Sequence, residues 1–273
     1  ITNSDVLNNK LMKAIRVTNE SGKACITSEF RDLNGTQTLY IDDEPIPNMS
    51  YVLPAYQSFT NEQADNYMHE SGVCVTRVTT SVAGGGAPEV WTGPGEYDFT
   101  VFDSYIYNAL SRHEDTKLMI QINMDVPQWW KDENPDELIV DSKNGRSNEV
   151  SFSSGKFEDD ALAANRALID YMMGQPYAQR IVGILLAACG TNEWIWFDLG
   201  QYALDYSPAS EKAFREFLTE KYGTDAALQK AWNDKAVTLA SAKVPPVEDR
   251  MGTTYDTLLD PAIQQSTIDF HEC

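Results

Sequence analysis

The sequence is poor in several residue types on which common chemistries rest. Only three histidines occur in 273 residues (His69, His113 and His271), and none stands beside a carboxylate pair at ligand spacing. A zinc centre or a Ser-His-Asp triad has little to draw on, so no metal site is expected. The four cysteines, Cys25, Cys74, Cys189 and Cys273, form no CxxC or CxxH pair. Cys74 and Cys189 lie in apolar runs and read as buried thiols. Basic charge is scarce too: 21 Lys+Arg against 41 Asp+Glu leave a net charge of −20. That balance argues against nucleic acid and against an anionic membrane surface as partners. No apolar run approaches the 18 or so residues that a membrane-spanning helix needs. No Gly-x-Gly-x-x-Gly follows the first strand, and Gly84-Gly85-Gly86 does not open directly onto a helix, so a nucleotide fold loses ground. These absences push any chemistry towards carboxylates working without a cofactor on a small, neutral or cationic molecule.

What is present is enough for a sizeable core: 42% of residues are hydrophobic and 11% aromatic. Polar alternating stretches flank Asn34-Gly35, the strongest short hairpin signal available, so residues 1–45 read as a leading β-hairpin segment. Beyond Pro45 the pattern becomes apolar strand, loop and amphipathic helix, repeated. Strands are expected at 49–53, 73–78, 117–122 and 181–187, with helices at 61–70, 99–112, 161–173 and 208–222. Short continuous apolar strands alternating with helices imply a parallel sheet covered on both faces. The long loops follow strands while the returns are short, which is how α/β barrels and doubly wound sheets place function at the carboxyl ends of strands. The chain opens at Ile1 without an initiator Met or signal segment and closes at 268–273 in an uncapped helical stretch. Both ends read as processed or cut.

Three segments carry candidate chemistry. Gly190-Thr191-Asn192-Glu193-Trp194-Ile195-Trp196-Phe197 follows the fourth strand. A glutamate walled by aromatic rings at a strand end is placed where desolvation raises a carboxyl pKa, which suits a general acid. Asn192 offers a neutral donor to a substrate hydroxyl. The bland alternative is a loop glutamate flanked by core aromatics. After the third strand, Asp125-Val126-Pro127-Gln128-Trp129-Trp130 offers flat indoles of the kind that stack on sugar rings, although one of the pair is expected to plug the barrel rim. Trp91-Thr92-Gly93-Pro94-Gly95-Glu96-Tyr97-Asp98-Phe99 reads as a turn leading to a helix cap.

Taken in order, these runs resemble the β-galactosidase type of glycoside hydrolases, family 42 and its relatives in clan A. So do Asn134-Pro135-Asp136-Glu137-Leu138, Ser151-Phe152-Ser153-Ser154, Tyr206-Ser207-Pro208-Ala209 and the 214–232 stretch containing Phe214-Arg215, Lys221-Tyr222-Gly223 and Ala231-Trp232. The resemblance covers roughly residues 40–265. It implies a TIM-type (β/α)8 barrel that cleaves glycosides with retention, with Glu193 as general acid/base and Asn192, Trp129, Trp130 and Trp194 binding a carbohydrate substrate. Its nucleophile is a second glutamate at the end of strand seven, roughly 5 Å from the first. No fifth, sixth or seventh strand is evident. Asp198, Asp205, Glu248 and Asp249 lie in loops or helix leads, so none is assigned as nucleophile. Residues 46–273 are therefore expected to hold the first four β/α units of the barrel. The alternatives are a non-catalytic carbohydrate-binding half-barrel, or a fragment that pairs with a second copy or with a carboxyl-terminal half.

Overall fold

A computed structural model describes residues 27–47, 49–53, 62–81, 89–143, 145–188, 205–250 and 261–273. The chain divides into two units, Ile1–Gln128 with Ala161–Ile195, and Trp129–Asp160 with Trp196–Cys273. The first begins with an antiparallel sheet, β1 (Ser28–Leu33), β2 (Thr36–Ile41) and β3 (Glu44–Ile46). Asn34 and Gly35 take φ of 56° and 83°, the two left-handed residues that a type I′ hairpin demands. Asp42 and Asp43 repeat the trick at the second turn, where Thr27 and Asp42 close the sheet end by a backbone bond of 2.9 Å.

Four parallel strands follow: β4 (Tyr51–Leu53), β5 (Val75–Ser81), β8 (Lys117–Asn123) and β11 (Ile181–Ala187), ordered β11-β8-β5-β4. Helices separate them in sequence: α1 (Glu62–Glu70), α2 (Thr100–Leu110) and α4 (Gly155–Met173). The expected strands and helices are thus present, with α4 beginning six residues before the expected 161. A small hairpin, β6 (Trp91–Gly93) with β7 (Glu96–Tyr97), precedes α2, its turn set by Gly95 at φ 72°. Asp98 lies one residue before the N-cap position Phe99 and accepts the Thr100 backbone N–H at 2.8 Å, which prepares the helix start.

Parallel pairing fixes the faces of this sheet. Thr76, Val78 and Thr80 lie level with Leu118, Ile120 and Ile122, and every one of these is buried. On the other face Arg77 and Thr79 pair with Met119 and Gln121. The β1–β3 sheet packs against the amino-terminal ends: Ile41, Val75 and Val182 share a core with Leu39, Ile46, Cys74 and Met119, and Ser28 Oγ donates to the Val182 carbonyl at 2.6 Å. With that end covered, the carboxyl edge is the one left for function.

The second unit holds β9 (Leu138–Asp141) and β10 (Gly145–Val150), between the strand expected at 117–122 and the helix expected at 161–173, and the helices α5 (Pro208–Tyr222), α6 (Asp225–Trp232), α7 (Val247–Arg250) and α8 (Pro261–Glu272). Between β8 and β9 lie α3 (Gln128–Glu133) and a 3-10 turn at Pro135–Glu137. Ser207 and Thr224 cap α5 and α6 by accepting from Ser210 and Ala227, and Gly223 ends α5 at φ 69°. Phe214, Leu218, Leu228, Val237, Ala242 and Val244 form the core, with Trp232 and Phe270 packed on it.

One carboxylate ties this unit together. Asp269 is fully buried and accepts from Lys221 Nζ (2.8 Å), Gln265 Nε2 (2.7 Å), Tyr222 Oη (2.8 Å) and Trp232 Nε1 (2.7 Å). Burial works to raise its pKa, but the four donors outweigh it and hold the carboxyl below the usual range. The stability this contributes is complete above the ordinary carboxylate pKa and is lost as pH falls through the depressed folded value. Asp269→Ala is expected to destabilise the unit by about 3 kcal/mol, because donors lose a buried acceptor. In melts followed by Trp fluorescence, the gap between variant and wild type should stay constant from pH 7 down to the ordinary carboxylate pKa, about 3.9, and shrink only below it; a gap that does not change below that pH contradicts the ionised hub.

Candidate active site

Pairing in register brings Ser81, Asn123 and Ala187 to one level, and the Met124 N–H extends the ladder to the Ala187 carbonyl at 2.8 Å. Loops leaving β5, β8 and β11 therefore start from the same edge. At the carboxyl end of β8, Gln121 and Asn123 are buried polar residues on one face, at 3% exposure each, followed by the buried Asp125. Asn123 Oδ1 has no hydrogen-bond partner among the described residues. An unsatisfied buried amide oxygen at a strand end is a ready acceptor for a substrate hydroxyl. Sequence reading passes over Asn123 and Gln121; the available signal is two amides interrupting the apolar run Leu118-Met119-Ile120-Gln121-Ile122-Asn123.

The tandem tryptophans of α3 have different environments. Trp129 is half-buried, whereas Trp130 is 1% exposed and donates Nε1–H to Asp160 Oδ2 at 2.7 Å. Trp130 is thus the packed member of the pair. Asp160 also receives Lys156 Nζ at 2.8 Å. Burial tends to raise its pKa, but Lys156 and Trp130 together hold the carboxyl below the usual range, so it stays an ionised acceptor. The Asn134 side chain donates to the Trp130 carbonyl at 2.8 Å and ends the helix.

Much of the remaining motif string is scaffold. Ser154 Oγ accepts from the Phe157 N–H at 2.9 Å, capping α4, and donates to Glu137 Oε2 at 2.6 Å. Asp205 Oδ1 accepts from the Val140 and Ser207 N–H groups at 3.0 and 2.8 Å, and Oδ2 accepts from Ser207 Oγ at 3.0 Å. Three hydrogen bonds thus commit it to holding the chain beside β9, and Glu248 and Asp249 lie on the short helix α7. Asn192, Glu193 and Trp194 lie outside the described residues, as do Asp198 and Cys189. Cys74 is a free, half-buried thiol whose pKa is raised by burial. Among the described residues no group of three or more His, Cys, Asp or Glu side chains is placed to hold a metal ion, and no helix is long and apolar enough to cross a membrane.

The sequence profile of glycoside hydrolase family 42, described as beta-galactosidase, matches residues 55–237. The chain belongs to this family. Its fold is that of the TIM-barrel glycosidases, as three solved structures show. A beta-galactosidase from the psychrophilic Marinomonas ef1 is 19% identical with a TM-score of 0.55, over 81% of this chain and 31% of that one. A beta-galactosidase from Bacillus circulans sp. alkalophilus is 21% identical with a TM-score of 0.52, over 72% and 28%. The catalytic domain of a beta-amylase from Paenibacillus polymyxa is 19% identical with a TM-score of 0.55, over 82% and 58%. The family-42 chain thus spans under a third of the length of these two beta-galactosidases. No curated protein sequence matches it.

The anchoring of Trp130 is directly testable. Trp130→Phe keeps an aromatic ring but removes the charge-assisted bond to Asp160, and is expected to cost about 1.5–3 kcal/mol in urea unfolding. An unchanged midpoint contradicts the anchor.

Proposed function

We propose that this family-42 chain carries the acid/base side of a retaining active site for β-galactoside-like sugars. One observation supports this most: Asn192-Glu193 follows β11, whose end lies level with those of β5 and β8. Glu193 protonates the glycosidic oxygen as the bond to the leaving group breaks, and later deprotonates the water that releases the sugar. Asn192 donates to a sugar hydroxyl, Asn123 accepts from another and Trp194 stacks on the ring; Trp129 and Trp130 are the further substrate-binding residues that the family resemblance implies. This chemistry takes two carboxylates and needs no metal or cofactor.

The nucleophile belongs to none of residues 1–273 in this reading. Asp205 is occupied by backbone donors, and neither Glu248 nor Asp249 stands at a strand end. The chain then supplies four β/α units of the barrel, 46–273, with 1–45 as a preceding segment. Among the described residues β11 pairs with β8 alone, and its Ile184 and Leu185 are exposed. An apolar strand edge of this kind associates unless it is covered. Further strands of a carboxyl-terminal half, or a second copy, would cover it.

Assayed with a nitrophenyl β-glycoside panel, the 273-residue chain is expected to bind methyl β-galactoside without turnover, and Trp129→Ala should weaken that binding. Turnover abolished by Glu193→Gln would keep the acid/base assignment but contradict the missing nucleophile. Turnover indifferent to Glu193→Gln would overturn the acid/base assignment. In sedimentation the chain should associate with itself as concentration rises; a clean monomer throughout contradicts the exposed edge.

A further inference from the structure

A second constellation lies on the flank of the first unit, built by the β6–β7 hairpin and the helices α2 and α4 rather than by strand ends. It is a cleft of about 440 Å³ whose walls include Tyr97, Phe99, Tyr107 and Tyr171, with the carboxylates Asp98 and Asp103. That volume falls within the range of small-ligand sites, roughly 300–1,000 Å³. The rings form a ladder: Phe99 stacks on Tyr171 with centroids 3.9 Å apart at 12°, and Tyr97 lies 6.0 Å from Phe99 at 13°. All four rings stay half-buried instead of entering the core.

Asp103 is the polar centre. Its Oδ2 accepts from Tyr171 Oη at 2.5 Å and its Oδ1 from Tyr177 Oη at 2.7 Å. Burial, reinforced by these bonds, pushes both phenols up, so they remain protonated donors at any physiological pH. Among the described residues no Lys, Arg or His lies within ion-pair distance of Asp103 or Asp98. Each Asp103 oxygen keeps a lone pair beyond the one its phenol uses, as does Asp98 Oδ1 beside the Thr100 N–H. Flat apolar rings beside uncompensated carboxylate acceptors match a pyranose, which presents C–H groups on its face and hydroxyl donors at its rim. Aromatic sites for quaternary ammonium ions are characteristically cages of rings. Here three rings are nearly parallel and Tyr97 ends the stack.

We propose that this flank cleft is a second carbohydrate-binding site, taking a galactose unit of a substrate or oligosaccharide outside the active site. Tyr97, at the end of the stack, bears the sugar face, and Asp98 and Asp103 accept its hydroxyls. The class of sugar rests on the galactoside reading of the family-42 site.

The test uses the 273-residue chain with tyrosine rings isotopically labelled, titrated with methyl β-galactoside and with a short β-galacto-oligosaccharide. Ring signals of Tyr97, Tyr107 and Tyr171 should shift. Tyr97→Ala should weaken this binding about tenfold or more. Ser104→Arg, at an exposed cleft residue, places a guanidinium against Asp103 and should abolish it even if Tyr97→Ala perturbs the hairpin. Glu193→Gln should leave the ring shifts intact. Rings that do not move with sugar, or shifts that survive both cleft variants, overturn the proposal. Shifts with tetramethylammonium in place of sugar would also overturn it, assigning a cation site instead. If the ring shifts appear but no binding responds to Trp129→Ala, the galactoside reading of the strand-end site fails while the flank site stands.

Discussion

The parallel register of β5, β8 and β11 is the constraint on which the functional reading rests. Because Ser81, Asn123 and Ala187 end level, the segments that follow them, however long and polar, must set out from one edge. The opposite edge is closed by the β1–β3 sheet, whose Ile41 packs with Val75 and Val182. Hydrogen bonding thus chooses the location of chemistry before any catalytic side chain is considered. The buried polar groups Gln121 and Asn123 of an otherwise apolar strand lie towards this carboxyl end rather than at the end that is covered.

The acidic excess has an internal use. With few basic residues to pair with, buried and half-buried carboxylates recruit neutral donors instead. Asp269 gathers an indole, a phenol and an amide around one lysine; Asp160 holds an indole with one lysine; Asp205 takes backbone N–H groups; Asp103 binds two phenols. Each joins segments distant in sequence, and each remains satisfied without the desolvation cost of a second buried ion. A net charge of −20 is therefore not only a solvated surface. Where such a carboxylate lies beside half-exposed rings, as Asp103 does, the same chemistry offers acceptors to a sugar.

Periodicity made the elements of the parallel sheet legible, since the short continuous apolar runs at 117–122 and 181–187 read as strands, although the second leaves Ile184 and Leu185 exposed. Asn34-Gly35 made the first hairpin legible for an equally local reason, the cost of left-handed backbone for other residues. The stretch 125–159 was opaque. Its β10, Gly145-Arg146-Ser147-Asn148-Glu149-Val150, has no apolar alternation, being held by backbone pairing to β9 and by the Ser151 N–H to Glu137 carbonyl bond. The start of α4 was hidden because Ser154 caps a turn, Gly155-Lys156-Phe157-Glu158, that is weakly amphipathic. In the candidate site, the aromatic pair was visible but its division of labour was not. Whether Trp129 or Trp130 is buried depends on Asp160, thirty residues away, and no spacing rule carries that information.

The central claim is that sugar binds at the carboxyl edge of the parallel sheet, next to Glu193. Backbone chemical-shift mapping of the chain with a galactose-configured iminosugar addresses it most directly. The account predicts the largest shifts at Asn123–Trp129 and Asn192–Trp194, diminished in Glu193→Gln. Shifts confined to the covered end, around Ile41, Val75 and Val182, would contradict it.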